Sequence, residues 1–377
     1  MARRFLMAAA APALAIVIAL GVSSLVLGIS GHNPLDIYES MWSFGTQLSS
    51  IISMTNRAVP YYLSGLAVAI GFKMNLLNIG VEGQYYFAAL VAAIVGATFA
   101  LPSILHVAVI VLVAMAAGAF LAAIAGVLKA TRGVNEVIST IMLNNIIGGG
   151  FGAWLLTRVR HDDGSGSLQI TTEPLAESGR LPNLNPWLEA VGIDVPSGAR
   201  LTSFLLVALV VGALYYVVIW RTRFGFDLRA SGLNPWAAAA SGVAAKGMVV
   251  KAMALSGAVA GLVGLSSLLG ERPFAFTGDF QTGIGFTGIA VALVGRNHPV
   301  GVGLAALLWG FMERSSQRLD LEGVPKEIVV IMQGTIVLSV VVAYEVVRRA
   351  RAAQAQREVS AQVDDERVAD VEPAVTA

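Results

Sequence analysis

Apolar residues in this chain come in long, nearly unbroken stretches. They show neither the alternation of a half-buried strand nor the three-to-four spacing of a surface helix. A helix that crosses a bilayer needs about 20 predominantly apolar residues. Stretches of that kind are read at about 5–29, 48–72, 84–101, 104–128, 135–156, 202–220, 246–268, 283–296, 300–317 and 327–347. The pattern predicts an all-α polytopic membrane protein with about ten transmembrane helices over residues 1–347. The stretch near 283–296 is short and rich in glycine, so it is expected to be a broken or re-entrant element. The first stretch runs to Ile29, beyond the roughly 7–15 apolar residues of a signal peptide, and is read as a retained helix.

Two segments lack this character. Residues 157–200 contain Pro182, Pro186 and Pro196, which forbid long helices, and are expected to form an external loop that Trp187 and Leu188 pack onto the membrane surface. Residues 348–377 are polar with no apolar periodicity and are expected to be a disordered cytoplasmic tail.

Composition narrows the class. Hydrophobic residues make up 56% of the 377 and charged ones 13%, about half the charge of a soluble domain. With no cysteine, disulfide and thiol chemistry are excluded, and His32, His106, His161 and His298 lie too far apart for a metal motif. A net charge of +1 argues against nucleic acid as a partner. The scarce charges are sorted by side. Arg3, Arg4, Lys129, Arg132, the segment Arg221–Lys251 and Arg348, Arg349 and Arg351 fall, by alternation, on one face of the membrane. Asp36, Glu39, Asp162, Asp163, Glu173, Glu177, Glu271, Asp279, Asp320 and Glu322 fall on the other. The positive-inside rule makes the basic face cytoplasmic and, with an even number of spans, both termini as well.

A few polar exceptions carry the candidate chemistry. In the cytoplasmic loop 221–251, Asn234 suits a helix N-cap, Pro235 the first helical position, the alanines after Trp236 the helix itself, and Gly242 a stop. The product is a short surface helix able to dock in another protein, or else an ordinary basic loop. Asn75, Asn78, Glu82 and Gln84 sit where one span ends and the next begins. They suit a broken helix lining a solute path, with Glu82 equally able to cap the helix it opens. Gly283-Ile-Gly285-Phe-Thr-Gly288 matches the dinucleotide fingerprint GxGxxG, but no strand-turn-helix unit or downstream acid accompanies it. Its place in the second half resembles that of the Asn78–Gln84 segment in the first, which hints at an internal inverted repeat and adds Phe286 and Thr287 to the path candidates. Asn144 reads equally as solute contact or interhelical glue, and Asn145 as glue. Gly257 and Gly261 read as a packing face, and Phe274, Phe276 and Phe280 as interfacial anchors. Arg57 within the second span needs a partner that the sequence does not name. No Walker A sequence occurs.

Four segments, LLNIGVEGQ, RGVNEVISTIMLNN, TRFGFDLRASGLNPWAAAASGV and GFTGIAVALVGRNHPVGVGLAALLWG, occur in an order that resembles the membrane permeases of ABC importers for simple sugars and nucleosides. The likeness covers about residues 5–347 and is strongest to the nucleoside branch, which uses binding lipoproteins of the basic-membrane-protein type. It implies the ABC importer permease fold and a transport subunit with no enzymatic site and no cofactor of its own. ATP and Mg would be bound by a partner cytoplasmic ATPase. A second, different permease subunit and an external binding lipoprotein would complete the assembly, and a nucleoside would be the solute. Arg229, Asn234, Pro235, Trp236, Ala238, Ser241 and Gly242 would form the coupling helix on the ATPase. A simple sugar such as ribose is the alternative solute, and a secondary transporter without an ATPase the alternative class.

Overall fold

In the computed structural model, residues 2–161, 169–321 and 323–371 are described. Asp162, Asp163 and Glu322 of the acidic set, and residues 372–377 of the tail, lie outside them. In chain order the helices are α1 (Ala2–Ile29), α2 (Pro34–Gly45), α3 (Leu48–Lys73), α4 (Val81–Thr98), α5 (Ser103–Arg132), α6 (Glu136–Ile146), α7 (Gly152–Arg158), α8 (Asn185–Ala190), α9 (Phe204–Tyr216), α10 (Arg223–Leu233), α11 (Pro235–Ala240), α12 (Ala245–Gly261), α13 (Leu265–Gly270), α14 (Ile284–Val294), α15 (Pro299–Leu321) and α16 (Lys326–Val371). Each apolar stretch of the sequence is helical. Five helices or helix runs among the described residues are long and apolar enough to span a membrane, six if the bent α1–α2 pair counts as one. The count falls short of ten because α3 and α15 carry charges, α6 and α7 are joined through a wide turn at Ile147–Phe151, and α14 has only 11 residues. The protein is an all-α polytopic membrane protein.

The chain forms two compact units. In the first, residues 1–39 and 319–377, α1 packs along α16. Here the expectation of a disordered tail is corrected, because α16 continues to Val371. Its distal part is rich in Ala, Gln, Glu and Arg, all strong helix formers, so backbone propensity holds it helical without an apolar face.

The second unit, residues 40–318, is built around α3, α4, α5, α12 and α14. Small residues set its geometry. A Cβ on Gly118 would collide with the Gly257 carbonyl, and one on Gly261 with the Ala114 carbonyl, so α5 and α12 touch backbone to backbone. This is the packing face that Gly257 and Gly261 predict. The pair runs antiparallel, since Gly126 meets Val250 and Met253. The α5 end bearing Lys129 and Arg132 therefore lies beside the Lys246–Lys251 end of α12. Lys129 forms an ion pair with Glu136.

The opposite end is roofed by the 169–202 segment. Its backbone pairs with the α13–α14 connection: Thr172 N donates to Phe276 O (2.9 Å), Leu175 N to Phe274 O (2.8 Å) and Gly278 N to Ile170 O (2.8 Å). Asp279 there accepts from Gln169, and bonds from Gln169 and Thr277 hold its carboxyl below the usual carboxylate range. Phe276 and Phe280 are not interfacial anchors as expected. Both are buried, stacked at 4.5 Å, with Tyr86 edge-on to Phe276 at 4.9 Å. The returning roof covers them. Phe274 lies under the Arg180 guanidinium, 4.8 Å away.

Candidate functional site

Beneath the roof is a polar cavity of about 270 Å³, framed by α3, α13, α15 and the α13–α14 connection. Ser53, Asn56, Arg57 and Tyr61 enter it from α3, Ser266 and Ser267 from α13, Glu313 from α15, and Glu271, Gln281 and Thr282 from the connection. Pro60, inside α3, lacks an N–H, so the carbonyl of Asn56 one turn earlier loses its helical donor on the cavity side. The partner of Arg57 is Glu313: their side chains form an ion pair, and Tyr61 donates to the second Glu313 oxygen at 2.6 Å. Burial pushes the Glu271 carboxyl above its usual range, and the Arg57 charge draws it part of the way back. An Arg and a Glu on separate membrane helices each meet the other's need for a counter-charge, and both remain about one-third exposed toward the cavity. Asn56 fastens the roof, donating to Arg200 O (2.6 Å) and accepting from Thr202 N (3.0 Å). A second polar space of about 550 Å³ continues from Ser53 and Asn56 past Ser197–Arg200 to Arg272 and Arg314.

The glycine-rich segments meet at the foot of this cavity. Glu82, in the first turn of α4, does not cap its own helix. It caps α14, accepting from Gly283 N at 2.6 Å and Gly285 N at 2.8 Å. A side chain at Gly285 would strike the Glu82 backbone, and one at Gly288 would strike Ser64 of α3, so only glycine admits this approach. Gly283 takes a left-handed φ of 88°, which suits glycine and starts α14 abruptly. Tyr85 turns its hydroxyl to both Glu82 (3.0 Å) and the Gln281 carbonyl (2.8 Å), and Ser64 Oγ donates to Ile284 O at 3.0 Å. A carboxylate on two N-terminal N–H groups complements the positive end of the helix dipole. The short α14 is thereby anchored inside the protein.

Other predicted residues take different places. Asn78 and Gln84 are buried and exchange two amide bonds of 3.0 Å, Asn78 adds Ser256 Oγ at 2.9 Å, and Ser256 donates to Ala67 O at 2.6 Å. These groups are consumed by each other, so they tie α3, α4 and α12 together and shape the unit from behind the cavity. Asn144 splints the break before α4, accepting from Gly83 N (2.8 Å) and donating to Ile79 O (2.9 Å). Asn145 donates to Ile141 O of its own helix, which corrects the interhelical reading. Asn75 is exposed at the end of α3 with φ of 56°. Phe286 is exposed on α14, and Thr287 bonds back to Gly283 O. Among the described residues no cluster of three or more His, Asp or Glu could hold a metal ion.

At the basic end, Asn234 accepts from Trp236 N and Ala237 N, both at 3.0 Å, Pro235 opens α11, and Gly242 follows it with φ of 83°. Ala238 packs inward, Trp236 is 86% exposed, and Arg229 of α10 bonds back to Gly225 O. Ser241 Oγ closes the turn on Ala237 O. A short helix capped by Asn234 is thus present over Pro235–Ala240, with Arg229 placed in the preceding helix α10 and Ser241 just past the end of α11.

Sequence reasoning missed Ser53, Asn56, Tyr61, Gln281 and Glu313 as one group. The signal within reach was Arg57, an unpaired charge in a span, whose partner had to be an acid such as Glu313 inside another apolar stretch.

Comparison with known proteins gives these features a family. The chain is 36% identical to the guanosine ABC transporter permease protein NupP of Bacillus subtilis, over 89% of this chain and 93% of that one. It is 29% identical to the nucleoside ABC transporter permease protein NupB of Lactococcus lactis, over 88% and 90%, and 33% identical to the glucose ABC transporter permease protein TsgB13 of Haloferax volcanii, over 87% and 85%. No solved structure matches it. Residues 50–341 match the family described as branched-chain amino acid transport system permease components, a span that takes in the cavity, the Glu82 anchor and the capped helix alike, and the chain belongs to that family of multi-pass transport subunits, which are not enzymes.

Proposed function

We propose that this chain is the permease of a bacterial ATP-binding cassette importer for nucleosides and that its solute crosses through the polar cavity beside Arg57, Tyr61 and Glu313. The observation that carries this reading is a set of charged and amide side chains gathered inside an otherwise apolar helix bundle, under a roof of polar loops. Isolated charges in a membrane are costly and mark solute paths. A carboxylate and an amide suit ribose hydroxyls, and Tyr61 offers a ring face to a base. The relatives named for guanosine and nucleosides support the solute class.

In this reading both termini and α11 are cytoplasmic, in keeping with the basic residues gathered at that end. α11 docks in an ABC ATPase, which binds ATP and Mg. The 169–202 roof faces an external binding lipoprotein, and a second, different permease completes the path. Asn75, Asn78, Glu82, Gln84, Asn144, Phe286 and Thr287 shape the path around the cavity residues.

The test is uptake of labelled guanosine, uridine, glucose and ribose by the complete transporter in cells lacking other nucleoside uptake. Nucleoside uptake that falls at least tenfold in Glu313→Gln, with membrane levels of the chain unchanged, is expected. Uptake of glucose or ribose without nucleosides would transfer the chain to the sugar reading, which the glucose permease relative favours.

A further inference from the structure

A second cavity, of about 930 Å³, lies away from the polar one, between α3, α9 and α15. It is at the upper end of the roughly 300–1,000 Å³ of small-molecule sites. Its walls are apolar, with Ala58, Val59, Leu205, Leu209, Leu304 and Leu307 among them, and it shares no lining residue with the polar cavity. Glycines open it: Gly212 faces the Tyr62 hydroxyl and has no room for a side chain, whereas a Cβ at Gly303 would come no closer than 3.5 Å to Tyr62.

One end of this groove is different. Tyr216 and His298 line it there, 6.2 Å apart, and Trp220 lies against both, 5.5 Å from Tyr216 and 5.7 Å from His298. Around this aromatic rim stand cations. Arg221 lies over Tyr216 at 5.9 Å, and the Lys73 ammonium over Trp220 at 4.9 Å. His298 is set at the rim by the tight turn before it, in which Arg296 and Asn297 both have φ of 55° and the Tyr215 hydroxyl donates to the Asn297 carbonyl at 2.9 Å. Two cations at one end of an apolar groove suit an anionic group.

We infer that this groove is a binding site for an anionic phospholipid, with an acyl chain between α3, α9 and α15 and the phosphate held by Lys73 and Arg221 over the Tyr216–Trp220–His298 rim. An aromatic rim, cations on it and an apolar slot leading away from it match the headgroup and acyl zones of such a lipid in order. The site lies at the end of α10, so a lipid there braces the element that leads to α11.

The test uses the full chain purified in mild detergent and examined by native mass spectrometry with phosphatidylglycerol, phosphatidylcholine or glycerol phosphate added. The wild type is expected to retain phosphatidylglycerol at least tenfold over phosphatidylcholine and to bind no glycerol phosphate. Lys73→Gln with Arg221→Gln abolishes the headgroup preference while leaving the melting temperature in phosphatidylcholine nanodiscs unchanged. Gly303→Leu, which projects into the groove, lowers retention of both lipids. Equal retention of the two lipids by the wild type, or unaltered preference in the double variant, overturns the site. Glycerol phosphate binding as tightly as the lipid shows an anion site without the groove and overturns it too. The chain lacks cysteine, so Gly303→Cys supplies a single reporter: efficient disulfide formation between two copies, or with a cysteine placed in another subunit, makes the groove a protein interface and rejects the lipid.

Discussion

Removing the Glu82 carboxylate tests the anchoring of the short helix α14 most directly. In the wild type, two backbone N–H groups of the Gly283–Gly285 turn point at its oxygens, at 2.6 and 2.8 Å, and Tyr85 supplies a third contact. A hydrogen bond to a charged group is worth roughly 1.5–3 kcal/mol. The two backbone bonds are not equal. Gly283 N lies at the exposed rim, where water can replace the carboxylate, whereas Gly285 N is more enclosed. Glu82→Ala therefore loses about one full charged bond plus the dipole complement of about 0.3–1 kcal/mol, so a total near 2–4 kcal/mol is expected. At roughly 2 °C per kcal/mol for a large domain, the melting temperature falls by about 4–8 °C. Glu82→Gln retains one acceptor but turns an amide N–H₂ toward the other donor, so it should lie between wild type and alanine. The assay is thermal unfolding of the purified chain in detergent, followed by solute uptake at a temperature where all three proteins are folded. If α14 and the connection before it carry part of the cavity wall through Ile284 and Gln281, uptake ranks wild type, Gln, Ala. A Glu82→Ala protein that melts with the wild type would refute the anchor. One that melts low but transports normally would refute its link to the cavity.

Other outcomes follow from the same contacts. Arg57→Gln and Glu313→Gln singly should each leave a charge without its partner, so the double variant should be more stable than their sum by about 0.5–3 kcal/mol in a double-mutant cycle; additivity would remove the ion pair as a coupled unit. Trp236→Ala, at an 86% exposed position, should leave the melting temperature within about 1 °C while lowering ATPase co-purification severalfold, and intact co-purification would remove α11 as the docking helix. Asn234→Ala should weaken the same co-purification and cost about 0.5–2 kcal/mol locally, read as faster hydrogen exchange across 235–241. Gly257→Val drives a branched side chain into the α5 backbone, and protease-resistant chain in the membrane should fall several-fold; normal levels would mean that α5 and α12 do not pack through glycine.

Features made by neighbours in sequence were legible. The apolar stretches predicted where helices lie, and Asn234, Pro235 and Gly242 predicted α11 with its cap, because capping is local chemistry. The Gly257–Gly261 spacing predicted a close crossing for a similar reason: small residues one turn apart leave a flat face whatever meets it. What the sequence concealed was pairing over distance. Glu82 reads as a cap for α4, since it stands in that helix's first turn, yet it reaches a helix start some 200 positions later. Asn78 and Gln84 look like solute contacts until their amides are seen to satisfy one another. The phenylalanines at 276 and 280 look like interfacial anchors until the 169–179 segment folds over them. In each case composition stated the need, a buried polar group or ring requiring cover, and left the partner open. The cavity is the residue of that accounting. Asn78 and Gln84 are closed off by their partners, whereas Arg57 and Glu313, though paired with each other and with Tyr61, stay about one-third exposed to the cavity, where a solute can meet them.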